Sequence, residues 1–544
     1  MEVPSSIFSF VVLLAIFTFV VSAPAASLPQ MPSGPQGAGT FGAYYSTLSY
    51  DNAWDEPWRI GEHADVVVRF DTGGHKFVFW RGTSYIPCWV TDTNIWYTNE
   101  FVERRGSDSP NTQGCCEPMS DKQCRYSHVR IIENTDARVV VHWRYAPVDV
   151  HYEHPFIDPE TGWSDWVDEY YYIYPDAIGV RKITVHTSAP EKWMEWHEAI
   201  VLNQPGTMPE DNIELGALSV ANMEGKSKTY VWNENGAPEF DTDLSAANIL
   251  KVNLKATRQP FAIIPPSENA DGPVITPYKG HGKGSFFNFW NHWPVSHVAS
   301  DTTMADTAEN PSHSSLAHMG HRGEPYWKYF AQGDNWRTKI MLHGMTDLEV
   351  AALVPLAKSW NNPPELTLDG KGYSTTGYDQ SQRAYGLKKD PGQTEPLVFS
   401  IDANRKHPLV NPAFVIKNWE ADDGGVTVTL NGEKLEPGAT VRYGYNNTLE
   451  GNDLIVWIET ESTERVDVSI QRNEQTRVID LYNSGYRLNR KENTDDAQGE
   501  DSTAWNDGPA RVSAANGAGR GGRGNDHGGR GGPRAGRALR SSCP

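Results

Sequence analysis

At 544 residues, 38% of them apolar, the chain is long enough for more than one domain and for a core that needs no disulfide scaffold. A formal net charge of −21 excludes a protein whose whole surface attracts polyanions, nucleic acid included. With 19 Trp, 23 Tyr and 18 Phe, the composition points to aromatic-rich strands or to surfaces that stack on sugar rings.

Taken in chain order, Met1–Ser6 precede an apolar run from Ile7 to Val21, and Ala23-Pro24-Ala25 supply the small residues of a cleavage site. Residues 1–25 are therefore expected to be a signal peptide, although no Lys or Arg precedes the run. No later segment approaches the ~20 apolar residues that a membrane span requires, so the mature protein is expected to be soluble and extracellular. Cys88, Cys115, Cys116 and Cys124 cluster, with Cys543 left over. An oxidising exterior predicts two bridges within the cluster, and the adjacent Cys115-Cys116 pair does not make a Cys-x-x-Cys zinc knuckle.

Residues 40–408 read as a large antiparallel β-sandwich, the candidate catalytic domain. Short runs alternate apolar and polar residues between turn signals, as in Asp65–Phe70 and Lys76–Trp80, and no long stretch has helical period. Two alternating runs around Glu133–Ala137 predict a hairpin. Its period of two places Tyr126, His128 and Arg130 on one face with Arg138, Val140, His142 and Arg144. If Ile132 pairs with Arg138, His128 lies opposite His142 and Tyr126 opposite Arg144. Such a face is either solvated surface or an anion site.

Four tyrosines follow at 170, 171, 172 and 174, of which one pair is expected in the core and another, Tyr172 among them, is available to a ligand. Next, Glu195 and His197 share one face of a strand. The stretch His281–His297, with Trp290 and Asn291, reads as a loop lining a carbohydrate cleft or as an aromatic-pinned structural loop. His313, His318 and His321 lie close by without cysteine partners, and no metal ligand is assigned; a divalent cation such as calcium is compatible with the chain but not required by it. Pro, Gly and Ser between Lys358 and Arg383 suggest a lid or linker. Residues 409–475 predict a small β domain, and the Arg-Gly-Gly repeats at 494–544 a disordered tail.

The runs Phe79–Trp89 (FWRGTSYIPCW), Glu117–His128 (EPMSDKQCRYSH) and Asn411–Trp419 (NPAFVIKNW) resemble secreted proteins of marine polysaccharide degraders, the ulvan lyases of polysaccharide lyase family 40. The likeness spans residues 40–470; the tail and the leader depart from the bacterial pattern. What it implies is β-elimination at a uronate in a sulfated algal glycan, with no catalytic assignment to carry over.

That reaction needs a cation on the carboxylate, a base for the adjacent proton and an acid for the leaving oxygen. The hairpin face suits it: Arg144 and Arg130 for the carboxylate, His142 or His197 as base, Tyr126 or Tyr172 as acid, and His128, Arg81, Trp290 and Asn291 for binding. A non-catalytic glycan-binding or matrix protein would use the same face. A glycoside hydrolase is the third reading, since Asp165, Asp168, Glu169, Glu195 and Glu198 supply carboxylates whose separation is not legible in sequence. No Gly-x-Ser-x-Gly elbow, P-loop or His-Glu-x-x-His motif is present, which removes serine-esterase, nucleotide and zinc-protease chemistry of those types.

Overall fold

The structure is a computed structural model describing residues 30–34, 37–50, 64–99, 101–267, 271–294, 311–420 and 425–473. The expected leader, Cys543 and the Arg/Gly-rich tail lie outside the described residues.

Alternation along the strands sets the layers. In Trp166–Ile173, Val167, Glu169, Tyr171 and Ile173 are buried, whereas the residues between them are half-buried. Strands of this kind build two large sheets. One has eight strands, running from Gly42–Ser46 through Asp65–Arg69, Lys76–Phe79, Pro87–Val90, Trp96–Thr98, Glu198–Leu202 and His313–Met319 to Ile275–Pro277. The other has ten, and its centre runs Trp336–Thr346, Ile178–His186, Trp166–Ile173, Val139–Tyr145, His128–Asn134. All these pairings are antiparallel. One apolar core, including Trp89, Trp96, Val141 and Trp143, draws on both sheets.

Two five-stranded sheets close the described chain. They combine Leu366–Asp369, Tyr373–Asp379, Ala384–Lys389 and Leu397–Ile401 with strands between Ala413 and Arg472. The protein is thus an all-β sandwich protein; among the described strands Ala384–Lys389 runs parallel to Ala413–Lys417. Position 408, expected to divide the domains, falls between strands of the same small sheets. The segment expected as a lid or linker is instead the helix Val354–Asn361 followed by two strands. Cys88, Cys116 and Cys124 are buried free thiols, so the clustered cysteines do not pair into two bridges.

A charged pair sits at the centre of the sandwich. Arg181, on the ten-stranded sheet, meets Glu169 on the next strand through two contacts of 2.7 and 2.8 Å. The guanidinium also donates to the Asn99 and Trp196 carbonyls at 3.1 and 3.0 Å. The Tyr145 and Tyr171 hydroxyls donate to the same carboxylate. Both charges are fully buried, so this satisfaction is what makes them tolerable.

The outer face of the ten-stranded sheet is divided. Val350, Leu353 and the helix Val354–Asn361 cover Val180, Phe261, Ile340 and Leu342. The small unit covers Ala137 and Tyr174 with Ala384, Ala413, Ile455 and Trp457, and Tyr172 packs against this cluster. Arg383–Asp176, at 2.8 Å, fastens the junction. What stays open is the end carrying His128, Arg130 and Arg144. Replacing Arg181 with Met is expected to destabilise the protein by ~3–5 kcal/mol, because Glu169 is left buried and unpaired. Urea unfolding would show it as a lowered midpoint, and a midpoint at the wild-type value would contradict the role given to the pair.

Candidate functional site

The hairpin forms, in a register different from the expected one. A bulge between Ile131 and Glu133 pairs His128 with Arg144 and Arg130 with His142, rather than His128 with His142 and Tyr126 with Arg144. Ile132 is the extra residue and is 46% exposed. Beyond it, Glu133 joins the face of Arg138 and meets it with two contacts of 2.7 Å. The membership of the basic face survives the shift, since both patterns put His128, Arg130, His142 and Arg144 on the same side.

Neighbouring strands complete this face. Register sets Tyr170 opposite His142 and Asp168 opposite Arg144. The His142 ring is stacked on Tyr170 at 4.5 Å and is nearly buried. Its Nε2 lies 2.7 Å from Asp168 Oδ1, and Arg130 Nε donates to its Nδ1 at 3.3 Å. With Nδ1 accepting, the ring proton belongs on Nε2, directed at Asp168. His186 Nε2 and Arg144 Nη1 approach Asp168 Oδ2 at 3.4 and 3.6 Å. Burial alone would push the Asp168 carboxyl up; hydrogen bonds from His142 and His186, with the charge of Arg144, outweigh it and hold the group below the usual carboxylate range. Arg144 lies over the Trp166 ring at 5.1 Å, and Tyr126 approaches that ring at 6.3 Å.

Five of the expected residues therefore gather: Tyr126, His128, Arg130, His142 and Arg144. The other five do not. His197 is fully buried between the sheets, both nitrogens without a hydrogen-bond partner, and burial followed by the charge of Arg181 lowers it to about 3. Tyr172 packs towards the small unit under Arg138, and burial raises its phenol to about 12. Arg81 is buried in the 3-10 turn Arg81–Thr83, its guanidinium reaching the Gln123 carbonyl at 3.3 Å. Trp290 stacks on His313, edge-on to Tyr278, and with the buried Asn291 belongs to the packing of the eight-stranded sheet. The physical reason is common to all five: an aromatic or polar residue in a long sandwich is as readily taken into the interior as displayed.

A second polar cluster lies on the other side of the ten-stranded sheet. Glu195 is paired with Glu103, and Glu198 with His318, in different sheets, because the chain leaves its strand at Trp196-His197. His321 Nδ1 contacts Glu195 Oε2, and His318 Nδ1 lies 3.6 Å from the same oxygen. Burial, then the neighbouring carboxylates Glu117, Glu198 and Glu195, drives the Glu103 carboxyl well above its usual range; burial and Glu198 push Glu117 up to about 8. Burial acts upward on Glu195 too, but His318 and His321 pull it to about 2. No metal ligand was expected here; the signal in the sequence is the pair His318 and His321, three residues apart across a glycine.

No protein-family model matches the chain, and no curated protein matches it. Solved structures that match in part include a galactose 1-epimerase from Lactobacillus acidophilus NCFM, 7% identical, with a TM-score of 0.26 over 56% of this chain and 99% of that one. A likeness of that size carries no functional argument.

The depressed Asp168 carboxyl has a pH consequence. A group whose folded value lies below its unfolded one stabilises the fold above the unfolded value, about 4, and loses that contribution as pH falls through the folded value. Asp168→Asn is expected to cost ~1–3 kcal/mol at pH 7, with the gap to wild type closing in acid. Urea midpoints at pH 7 and pH 3 test this, and an equal gap at both would contradict it.

Proposed function

We propose that this protein is a secreted enzyme that binds a uronate-containing acidic polysaccharide along the His128–Arg144 face and cleaves it by β-elimination. One observation carries the reading: His142 is held between Asp168, Arg130 and Tyr170, on a face where the guanidinium charges of Arg130 and Arg144 stand beside the imidazoles of His128 and His186, on a chain of net charge −21. Local cations on an acidic body select an anionic ligand by position, since the overall field repels it.

The arrangement of these groups supports the following sequence of steps. A uronate carboxylate engages Arg144 and draws Arg130 away from His142 Nδ1, which frees that lone pair. Nδ1 takes the proton on the carbon next to the carboxylate, while Asp168 keeps the Nε2 proton in place and offsets the imidazolium charge. The electron pair left on carbon forms the new double bond as the glycosidic carbon–oxygen bond breaks, and the Tyr126 hydroxyl protonates the departing oxygen. Trp166, Tyr126 and Tyr170 offer ring faces to the sugars. The resemblance of Phe79–Trp89 and Glu117–His128 to ulvan lyases favours a sulfated algal glycan, whose sulfates the surplus cations suit.

Binding without cleavage is favoured by one feature, that both His142 nitrogens are already engaged. Incubation with ulvan, alginate and pectic acid separates the two: a rise in ultraviolet absorbance from the unsaturated uronate is expected, and retention on the glycan with no rise would leave a binding module. His142→Gln is expected to lower turnover by ~10²–10⁴-fold with unchanged circular dichroism. Full turnover in that variant would remove His142 from the mechanism.

A further inference from the structure

We propose that Glu195, His318 and His321 form a binding site for one divalent transition-metal ion of the zinc class. The inference is independent of the glycan face, because these residues lie on the inner side of the ten-stranded sheet, away from His142.

The site is built by three separate elements. Glu195 ends the two-residue strand Met194–Glu195 and is 1% exposed. His318 comes from His313–Met319, hydrogen-bonded to Glu198–Leu202 on one side and to Ile275–Pro277 on the other. His321 follows on a turn at Gly320, whose φ of +66° lets the chain double back. A Cβ on Gly320 would come within 2.6 Å of Trp327 Cβ, so the turn is closed to larger residues. As a result the two imidazole rings sit 4.4 Å apart over one carboxylate, and one nitrogen of each, with a Glu195 oxygen, lies within 4.8 Å of the others.

Three features favour an ion over a plain hydrogen-bond cluster. First, His318 Nδ1 is buried with no hydrogen-bond partner, although it points at the shared carboxylate. Second, Glu103 and Glu198, each 6% exposed, crowd the same pocket as Glu195, and Glu103 Oε1 also has no partner. The nearby ammonium of Lys339 is occupied by the rings of Trp196, Trp327 and Tyr329, and makes no hydrogen bond. A doubly charged ion offsets buried carboxylates that the described residues do not pair. Third, two imidazole nitrogens and one carboxylate oxygen suit zinc and its neighbours, whereas calcium and magnesium prefer all-oxygen shells. Three protein ligands leave a coordination position open, and His321, 31% exposed, is on the side that solvent reaches.

The test uses the full chain, stripped with a chelator and titrated with Zn²⁺, Co²⁺ and Ca²⁺ against a chromophoric competitor. One equivalent of Zn²⁺ is expected to bind, Co²⁺ to give a visible spectrum of nitrogen–oxygen coordination, and Ca²⁺ to compete poorly. His321→Ala, on an accessible turn, is expected to weaken Zn²⁺ by more than the ~10–100-fold typical of outer-shell partners, while His142→Ala leaves it unchanged. Added Zn²⁺ should also raise the wild-type melting temperature and not that of Glu195→Gln. Absence of stoichiometric Zn²⁺ binding, or binding indifferent to both His321→Ala and Glu195→Gln, would overturn the proposal.

Discussion

The buried Arg181–Glu169 pair is the constraint around which the sandwich is arranged. Arg181 donates both along its own sheet, to Glu169, and across the interior, to the carbonyls of Asn99 and Trp196. Such a residue ties two layers together at one spacing, because a buried guanidinium with unmet donors would be severely unfavourable. Its charge also governs the neighbourhood. His343 and His197 are driven to about 3, by burial first and then by Arg181, and remain neutral members of the interior. The Trp89 indole donates to His343 Nδ1 at 3.0 Å, which makes this imidazole an interior acceptor and no reactive group.

With polar hydrogen-bonding capacity concentrated inside, the outer face of the same sheet becomes the place where chemistry can meet solvent. Coverage by the helix Val354–Asn361 and by the small unit removes most of that face. The remaining edge carries His128, Arg130 and Arg144 around the nearly buried His142–Asp168 contact. This combination of one sheltered imidazole and several accessible cations is suited to reading a negative charge and acting beside it. The small unit therefore contributes to the site by exclusion: docking on Tyr172 and Tyr174, it narrows the exposed strip to the strand ends.

The two polar clusters differ in their electrostatics. In the outer-face cluster the Asp168 carboxylate is surrounded by histidine and arginine. On the inner side Glu103, Glu195 and Glu198 are buried together, with imidazoles as their nearest compensation. The first arrangement invites an anion and the second a cation. Neither requires the other, and the ten-stranded sheet between them keeps their fields apart.

The period of two in the sequence was sufficient to determine the all-β class and the membership of the basic hairpin face, because alternation decides which side chains share a side whatever the pairing partner. It did not contain the register: the looped-out Ile132 shifted the pairing, and brought Glu133 to Arg138. Nor did it separate the basic face from the packing for residues of equal polarity, so His142 came to lie beneath the exposed Arg130 and Arg144 while His197, Tyr172, Arg81, Trp290 and Asn291 went into packing elsewhere. Asp168 and His186 joined the site only because their strands lie beside the hairpin in the sheet order. The convergence of Glu195 with His321, 126 residues further along the chain, depends on strand order and on one turn at Gly320. Local pattern determines the faces of each strand; which faces meet is decided by long-range packing, and the tertiary structure alone holds that information.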